Sequence, residues 1–418
     1  MSNSILRNEF YSKHADFHHT FDDGEYYLEY GLYGSVPLDK RLHEEIIVAS
    51  ERLWNILQTV KDKIKTLSTE ELLGLGYDER IIPFLHLDPL TSCSVTSRFD
   101  IIRTRNSFKF IELNNDTPFL IMENYKMDDL LNASLGLTSC YPRRRELLVS
   151  SMMQSLEDSA RHVGKPLQDC TIAVMGYDYE EDLEEFTTLT FYQDTIRRMG
   201  LNCHYVHYNE VHVDMDMQDI LSEKTGTIDI LLKFAYPYEF LVNDQYANKE
   251  GYIGLDMLKL MEQGKVALLN PPASHILQNK GVFAYVFHLL DNTNFFSYDD
   301  KSFLRKYLPY TSFTDAKFQQ KGVTYVKKPV ISREGQSVEI ISPNKTVKSS
   351  LNLYDNELAI YQEHLPLPTR TVIVEDEEEE LHEILGVFIA GNKYSGTVCR
   401  LGGVITDWYS YWIATHEV

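Results

Sequence analysis

Ser97-Arg98-Phe99-Asp100-Ile101-Ile102 and Phe108-Lys109-Phe110-Ile111-Glu112-Leu113-Asn114-Asn115-Asp116 flank the polar stretch Thr104-Arg105-Asn106-Ser107, a pattern that predicts two antiparallel strands and a turn. Side chains two apart on a strand share a face, so Arg98 goes with Asp100 and Glu112 with Asn114. A turn centred on Asn106 sets Asp100 opposite Glu112 and Arg98 opposite Asn114. Two carboxylates facing each other across a ladder repel unless something positive lies between them. Magnesium suits that role, because it takes hard oxygen ligands and is held by one or two carboxylates with phosphate oxygens. Asp100, Glu112 and the Asn114 amide oxygen are therefore a candidate platform for two ions; the alternative is that Arg98 simply neutralises the carboxylates.

Outward from this hairpin, Leu42, Ile46, Ala49, Leu53, Ile56, Leu57 and Val60 recur at helical spacing and predict an amphipathic helix over 42–60. From Thr171 strands and helices alternate: Ile172 to Met175, a helix reaching Arg198, then His204 to Val206, Ile228 to Phe234 and Val266 to Leu269. That alternation predicts a small parallel α/β unit. Gly164-Lys165-Pro166 and Pro271-Pro272 suggest boundaries, dividing the chain into 1–165, 166–272 and 273–418. The last part reads as β-rich, with Leu385 to Ala390 and Ser395 to Arg400 forming a hairpin across Gly391-Asn392.

The chain has 418 residues and a net charge of −22, which opposes binding to nucleic acid or an anionic membrane. Neither a signal peptide nor an apolar run long enough to span a bilayer is visible, so a cytoplasmic location is expected. Five scattered cysteines without C-x-x-C spacing predict buried thiols rather than disulfides or zinc. His14, His18 and His19 lack an evident fourth zinc ligand and are expected at the surface. The acidic run Glu375 to Glu380 lacks the pattern of a calcium loop and is expected to be a solvated loop or helix start.

Three further pieces carry possible chemistry. Val326-Lys327-Lys328-Pro329 ends a strand before Ser332-Arg333-Glu334-Gly335, which could put an ammonium on one phosphate and backbone N–H groups around another. Ala359-Ile360-Tyr361-Gln362-Glu363 is a strand whose edge could hydrogen-bond an adenine ring. Arg400 ends the strand begun near Ser395.

In their order along the chain these pieces resemble the glutathionylspermidine synthase family. Glu112-Leu113-Asn114-Asn115-Asp116-Thr117-Pro118 is similar to that family's Glu-Tyr-Asn-Ala-Asp-Thr-Pro signature, with Arg98 and Asp100 where its upstream arginine and aspartate stand. Lys328-Pro with Arg333-Glu-Gly resembles its nucleotide loop, Tyr361-Gln362 its adenine-side strand, and Gly396-Thr397 through Arg400 its final catalytic arginine. Fainter echoes lie at Asp23 to Tyr27, Glu184-Glu185, Lys233 to Glu239 and Asn279-Lys280.

The resemblance implies a permuted ATP-grasp α/β (α+β) fold whose parallel subdomain is pre-ATP-grasp-like. It implies an ATP-dependent carboxylate–amine ligase working through an acyl phosphate, with ATP and two Mg2+ ions. Asp100, Glu112 and Asn114 would hold metal. Lys280, Lys328, Arg333, Gly335, Gln362 and Glu363 would hold nucleotide, and Arg98 and Arg400 would be catalytic. Thr117, Glu184 and Glu185 would meet the substrates, a peptide-like carboxylate and a polyamine or amino acid. No cysteine–histidine amidase domain of the bifunctional members is recognisable in these residues. Phe119 and Leu120 replace the family's usual hydroxyl residues, which points away from glutathione itself, and Ser332 replaces a glycine. A silent ATP-binding sensor or a scaffold protein of the same fold is the alternative.

Overall fold

The computed structural model describes residues 2–22, 27–105, 107–349 and 352–418. Asn106 and the Asp23 to Tyr26 part of the early echo lie outside them. A seven-stranded sheet runs in the order Gly31–Leu38, Tyr411–Glu417, Lys393–Gly402, Glu377–Ala390, Thr96–Arg103, Phe108–Asn114, with Thr369–Val374 paired to Glu377–Ala390. Strands from both ends of the chain thus share one ladder, and the sequence hairpin lies directly beside the Glu377–Ala390 strand.

Thr96–Arg103 and Phe108–Asn114 pair antiparallel with Arg98 opposite Asn114 and Asp100 opposite Glu112. One departure from simple alternation follows: Ile101 pairs with Phe110, leaving Ile111 as a bulge. The bulge reverses the side on which the following residues point. Phe108 and Phe110 therefore enter the core with Phe99, all fully buried, while Ile111 and Glu112 both reach the opposite face. Phe99 and Phe110 meet edge to face at 5.0 Å.

The amphipathic segment is the helix Lys40–Ile64, started by Asp39, whose carboxylate accepts from Leu42 N–H, and buried along Ile46, Ala49, Leu53, Leu57, Val60 and Ile64. Its length exceeds the sequence expectation at both ends. The parallel unit is a four-stranded sheet ordered Ala267–Leu269, Ile230–Leu232, Ile172–Gly176, Cys203–His207. Its inner strands are wholly buried, as parallel strands covered on both faces must be. A third, antiparallel sheet has the order Thr311–Ser312, Ala359–Glu363, Tyr325–Pro329, Glu339–Ile341, Thr346–Lys348.

All five cysteines are free and buried. The acidic run is neither a loop throughout nor a helix start: Glu375 and Asp376 turn the chain at φ 50° and 67°, and Glu377 begins a long strand. Among the described residues no helix is long and apolar enough to cross a membrane.

Phe110 touches Phe99, Phe108 and Tyr307 rings at the base of the hairpin. Phe110→Ala is expected to lower stability by about 3–5 kcal/mol, measured by denaturant unfolding, because it leaves a cavity in a fully buried cluster.

Candidate functional site

The polar face of the hairpin forms one wall of a cavity of about 280 Å³. Arg98, Asp100, Glu112, Asn114 and Thr117 line it from the first third of the chain; Lys328, Arg333, Gly335, Gln362, Glu363 and Arg400 line it from the last. Asp182 and Glu184 line a further part.

Arg98 donates from Nε to Asp100 Oδ1 at 2.7 Å and from Nη2 to Oδ2 at 3.2 Å, while Nη1 donates to the Phe119 carbonyl. The arginine is buried, and although burial works against its charge, Asp100 and Glu112 more than compensate and raise its pKa. Room for it comes from Gly386, opposite Asp100 in the neighbouring strand: a Cβ there would lie 2.9 Å from Arg98 Cδ. That glycine carries no sequence signal, since its need arises only across the sheet.

Lys280 lies 3.5 Å from Glu112 Oε1 and donates to the Ser332 carbonyl at 2.6 Å. It stands behind the cavity wall, not on it. Lys328 is buried and donates to Gln362 Oε1 at 3.0 Å. Burial lowers its pKa, with Lys280 acting in the same direction and Glu112 and Asp100 opposing. Lysines from the late segment and carboxylates from the early one therefore share one field.

Two expectations about the adenine-side strand need correction. Ala359–Glu363 is hydrogen-bonded on both sides, so it offers no free edge at Gln362. The Gln362 amide is committed to Lys328, Ile111 O and Thr311 Oγ1. It positions the lysine, and the cavity wall continues through His364, Leu365 and Leu367.

Arg333 Nε donates to Glu239 Oε1 at 2.7 Å, and its guanidinium packs over the Phe240 ring. Glu334, Gly335 and Ser337 all have positive φ, and a Cβ at Gly335 would meet Thr406 O at 2.4 Å. Only glycine fits that close approach. Arg400 Nη2 donates to Asp407 O. Asn114 Nδ2, Thr117 Oγ1 and Arg333 Nη2 are buried with no hydrogen-bond partner among the described residues. Such orphaned groups in a cavity of opposed carboxylates and lysines suit an anionic ligand carrying hard cations.

Glu184 and Glu185 part company. Glu184 faces the cavity, whereas Glu185 turns inward, accepting from Tyr177 N–H at 2.9 Å. Burial raises Glu184 to about 7, with His18 opposing the rise and Glu123 adding to it. His18 is not at the surface as expected: it is 3% exposed and faces Glu123 and Glu184. Burial works against its protonation, but the two carboxylates outweigh this and raise its pKa.

Burial likewise raises Glu185 to about 7, against its hydrogen bond from Tyr177. The folded protein then holds this proton where the unfolded chain has lost it, so the contribution falls as pH rises from the ordinary carboxylate range through about 7. Glu185→Gln, which can keep the bond from Tyr177, should gain in melting temperature relative to the parent across that window.

A family model described as glutathionylspermidine synthase preATP-grasp matches residues 7–417. The fold is similar to that of a glutathione synthetase-like effector from Globodera pallida in its apo form, with TM-score 0.61 and 11% identity over 100% of this chain and 96% of that one. A putative gamma-glutamylcysteine synthetase from Methylobacillus flagellatus KT gives TM-score 0.41 and 9% identity over 88% and 84% of the two chains.

Proposed function

We propose, since the chain belongs to the glutathionylspermidine synthase preATP-grasp family, that this ligase joins a peptide-like carboxylate to an amine, a polyamine or amino acid, at the expense of ATP. The observation that carries the reading is the meeting of Arg98, Asp100, Glu112 and Asn114 with Lys328, Arg333 and Arg400 around one cavity, across more than two hundred residues of sequence. A cytoplasmic location, and a division of the chain near 165 and 272, belong to the same proposal.

Asp100, Glu112 and the Asn114 amide oxygen would hold one or two magnesium ions. Asp100 keeps lone pairs beyond the two that Arg98 uses. Bound magnesium supplies charge neutralisation and orientation of the phosphates. Lys328, held by Gln362, presents its ammonium group to the same phosphates, while Lys280, braced on Ser332 behind the wall, adds its positive charge through Glu112. The carboxylate oxygen takes the terminal phosphoryl group as ADP leaves, giving an acyl phosphate; the amine then attacks the acyl carbon and phosphate departs. Arg98 and Arg400 stabilise the charge developing in both steps, each such contact being worth on the order of 3 kcal/mol.

Arg333 and the Gly335 turn exclude water from the acyl phosphate. Thr117 Oγ1, buried without a partner among the described residues, serves the carboxylate substrate. Asp182 and the cavity side of Glu184 form an acidic end suited to the amine, and Glu185 has no part in it.

Purified protein with magnesium and ATP should release ADP when peptides are screened against polyamines and amino acids. Glu112→Gln should keep the parent's circular dichroism and thermal unfolding while losing at least about 100-fold in ADP release. Undiminished turnover in that variant would sink the assignment; ATP binding without turnover for any pair would favour the sensor.

A further inference from the structure

His18, Glu123 and Glu184 come together from three distant parts of the chain at the edge of the cavity. His18 and Glu123 are 3% and 1% exposed, and the Glu184 side chain is 33% exposed. His18 Nε2 lies 3.3 Å from Glu123 Oε1 and 3.8 Å from Glu184 Oε1. One ligand atom from each residue lies within 4.8 Å of the others. Neither His18 Nε2 nor Glu123 Oε2 has a well-aligned hydrogen-bond partner among the described residues.

The outer contacts fix which atoms face inward. His18 Nδ1 is 3.3 Å from Thr187 Oγ1, and that hydroxyl donates to the Glu184 carbonyl at 3.2 Å. Thr187 can therefore only accept from His18, so Nδ1 carries a hydrogen and Nε2 is the nitrogen that faces the two carboxylates, holding a proton there that a bound cation would displace. Tyr30 O–H donates to Glu123 Oε1 at 2.6 Å. A histidine held through its far nitrogen and a carboxylate held by a donor are the outer supports that metal ligands carry.

The spacing separates possible occupants. Four ligands tetrahedral about zinc at ~2.0–2.1 Å lie about 3.3 Å apart. Acceptors around a substrate ammonium, each ~2.8 Å from nitrogen, would lie about 4.6 Å apart. The 3.3 Å distance from His18 to Glu123 matches the first value, and the 3.8 Å distance to Glu184 lies between the two, nearer the first.

We propose that His18, Glu123 and Glu184 form a binding site for a divalent cation of the zinc class, distinct from the magnesium platform on the hairpin. Three protein ligands leave a fourth position for water or substrate. Glu184, partly open to the cavity, joins the cation to the acidic end. The site does not depend on the ligase reading.

The test is titration of chelator-stripped full-length protein with Zn2+ in excess Mg2+, followed by calorimetry, with Co2+ absorption as a second readout. One tight equivalent and a tetrahedral Co2+ spectrum are expected. His18→Gln should abolish both while its circular dichroism matches the parent. Tyr30→Phe should weaken zinc about 10- to 100-fold by freeing Glu123. Glu112→Gln, at the hairpin platform, should leave the zinc equivalent intact, and so should His207→Ala at the cluster of His207 with the exposed Asp178 and Glu181. A zinc equivalent that survives in folded His18→Gln, or no tight equivalent in the parent, overturns the proposal whether or not ADP is released.

Discussion

Opposed carboxylates on one sheet face are the constraint to which the rest of the site answers. Asp100 and Glu112 stand across an antiparallel ladder, where like charges cost up to about 1 kcal/mol even when exposed. Here Asp100 is 6% exposed, so the penalty for leaving its charge uncompensated is larger. Arg98 meets it on the same strand and Lys280 meets Glu112 from the other side. Gly386, Ser332 and the Phe119 carbonyl then hold those cations in place.

The same logic organises the late segment. Lys328 is buried with its ammonium on Gln362, which reaches across to Ile111 in the hairpin and Thr311 in the adjoining strand. That amide ties the five-stranded sheet to the seven-stranded one, beside the ion pair of Lys109 with Glu363. Arg333 is tied instead to the parallel α/β unit through Glu239. Each cation facing the cavity is thus anchored by a side chain or carbonyl from a different element, which keeps it oriented in the absence of an anion.

Much of this was legible in the sequence. Alternation and a polar turn gave the hairpin and its pairing at Asp100 and Glu112, since a strand repeats every two residues regardless of context. The parallel unit was readable from alternating strands and helices, and the amphipathic helix from spacing. The Ile111 bulge was not, because it answers to three phenylalanines that must reach the core together. Gln362 read as an adenine contact because its strand's second neighbour, Thr311–Ser312, is too short to announce itself.

By itself, then, the sequence determined the local elements, the ordered set of charged residues and the family they resemble, all properties carried by short spacing. Only the tertiary structure decided which of those residues face one another: that Glu184 turns to the cavity and Glu185 away, and that His18 is buried against Glu123 instead of lying at the surface. Such partners come from distant segments, and their pairing is set by packing and desolvation, which no spacing along the chain records.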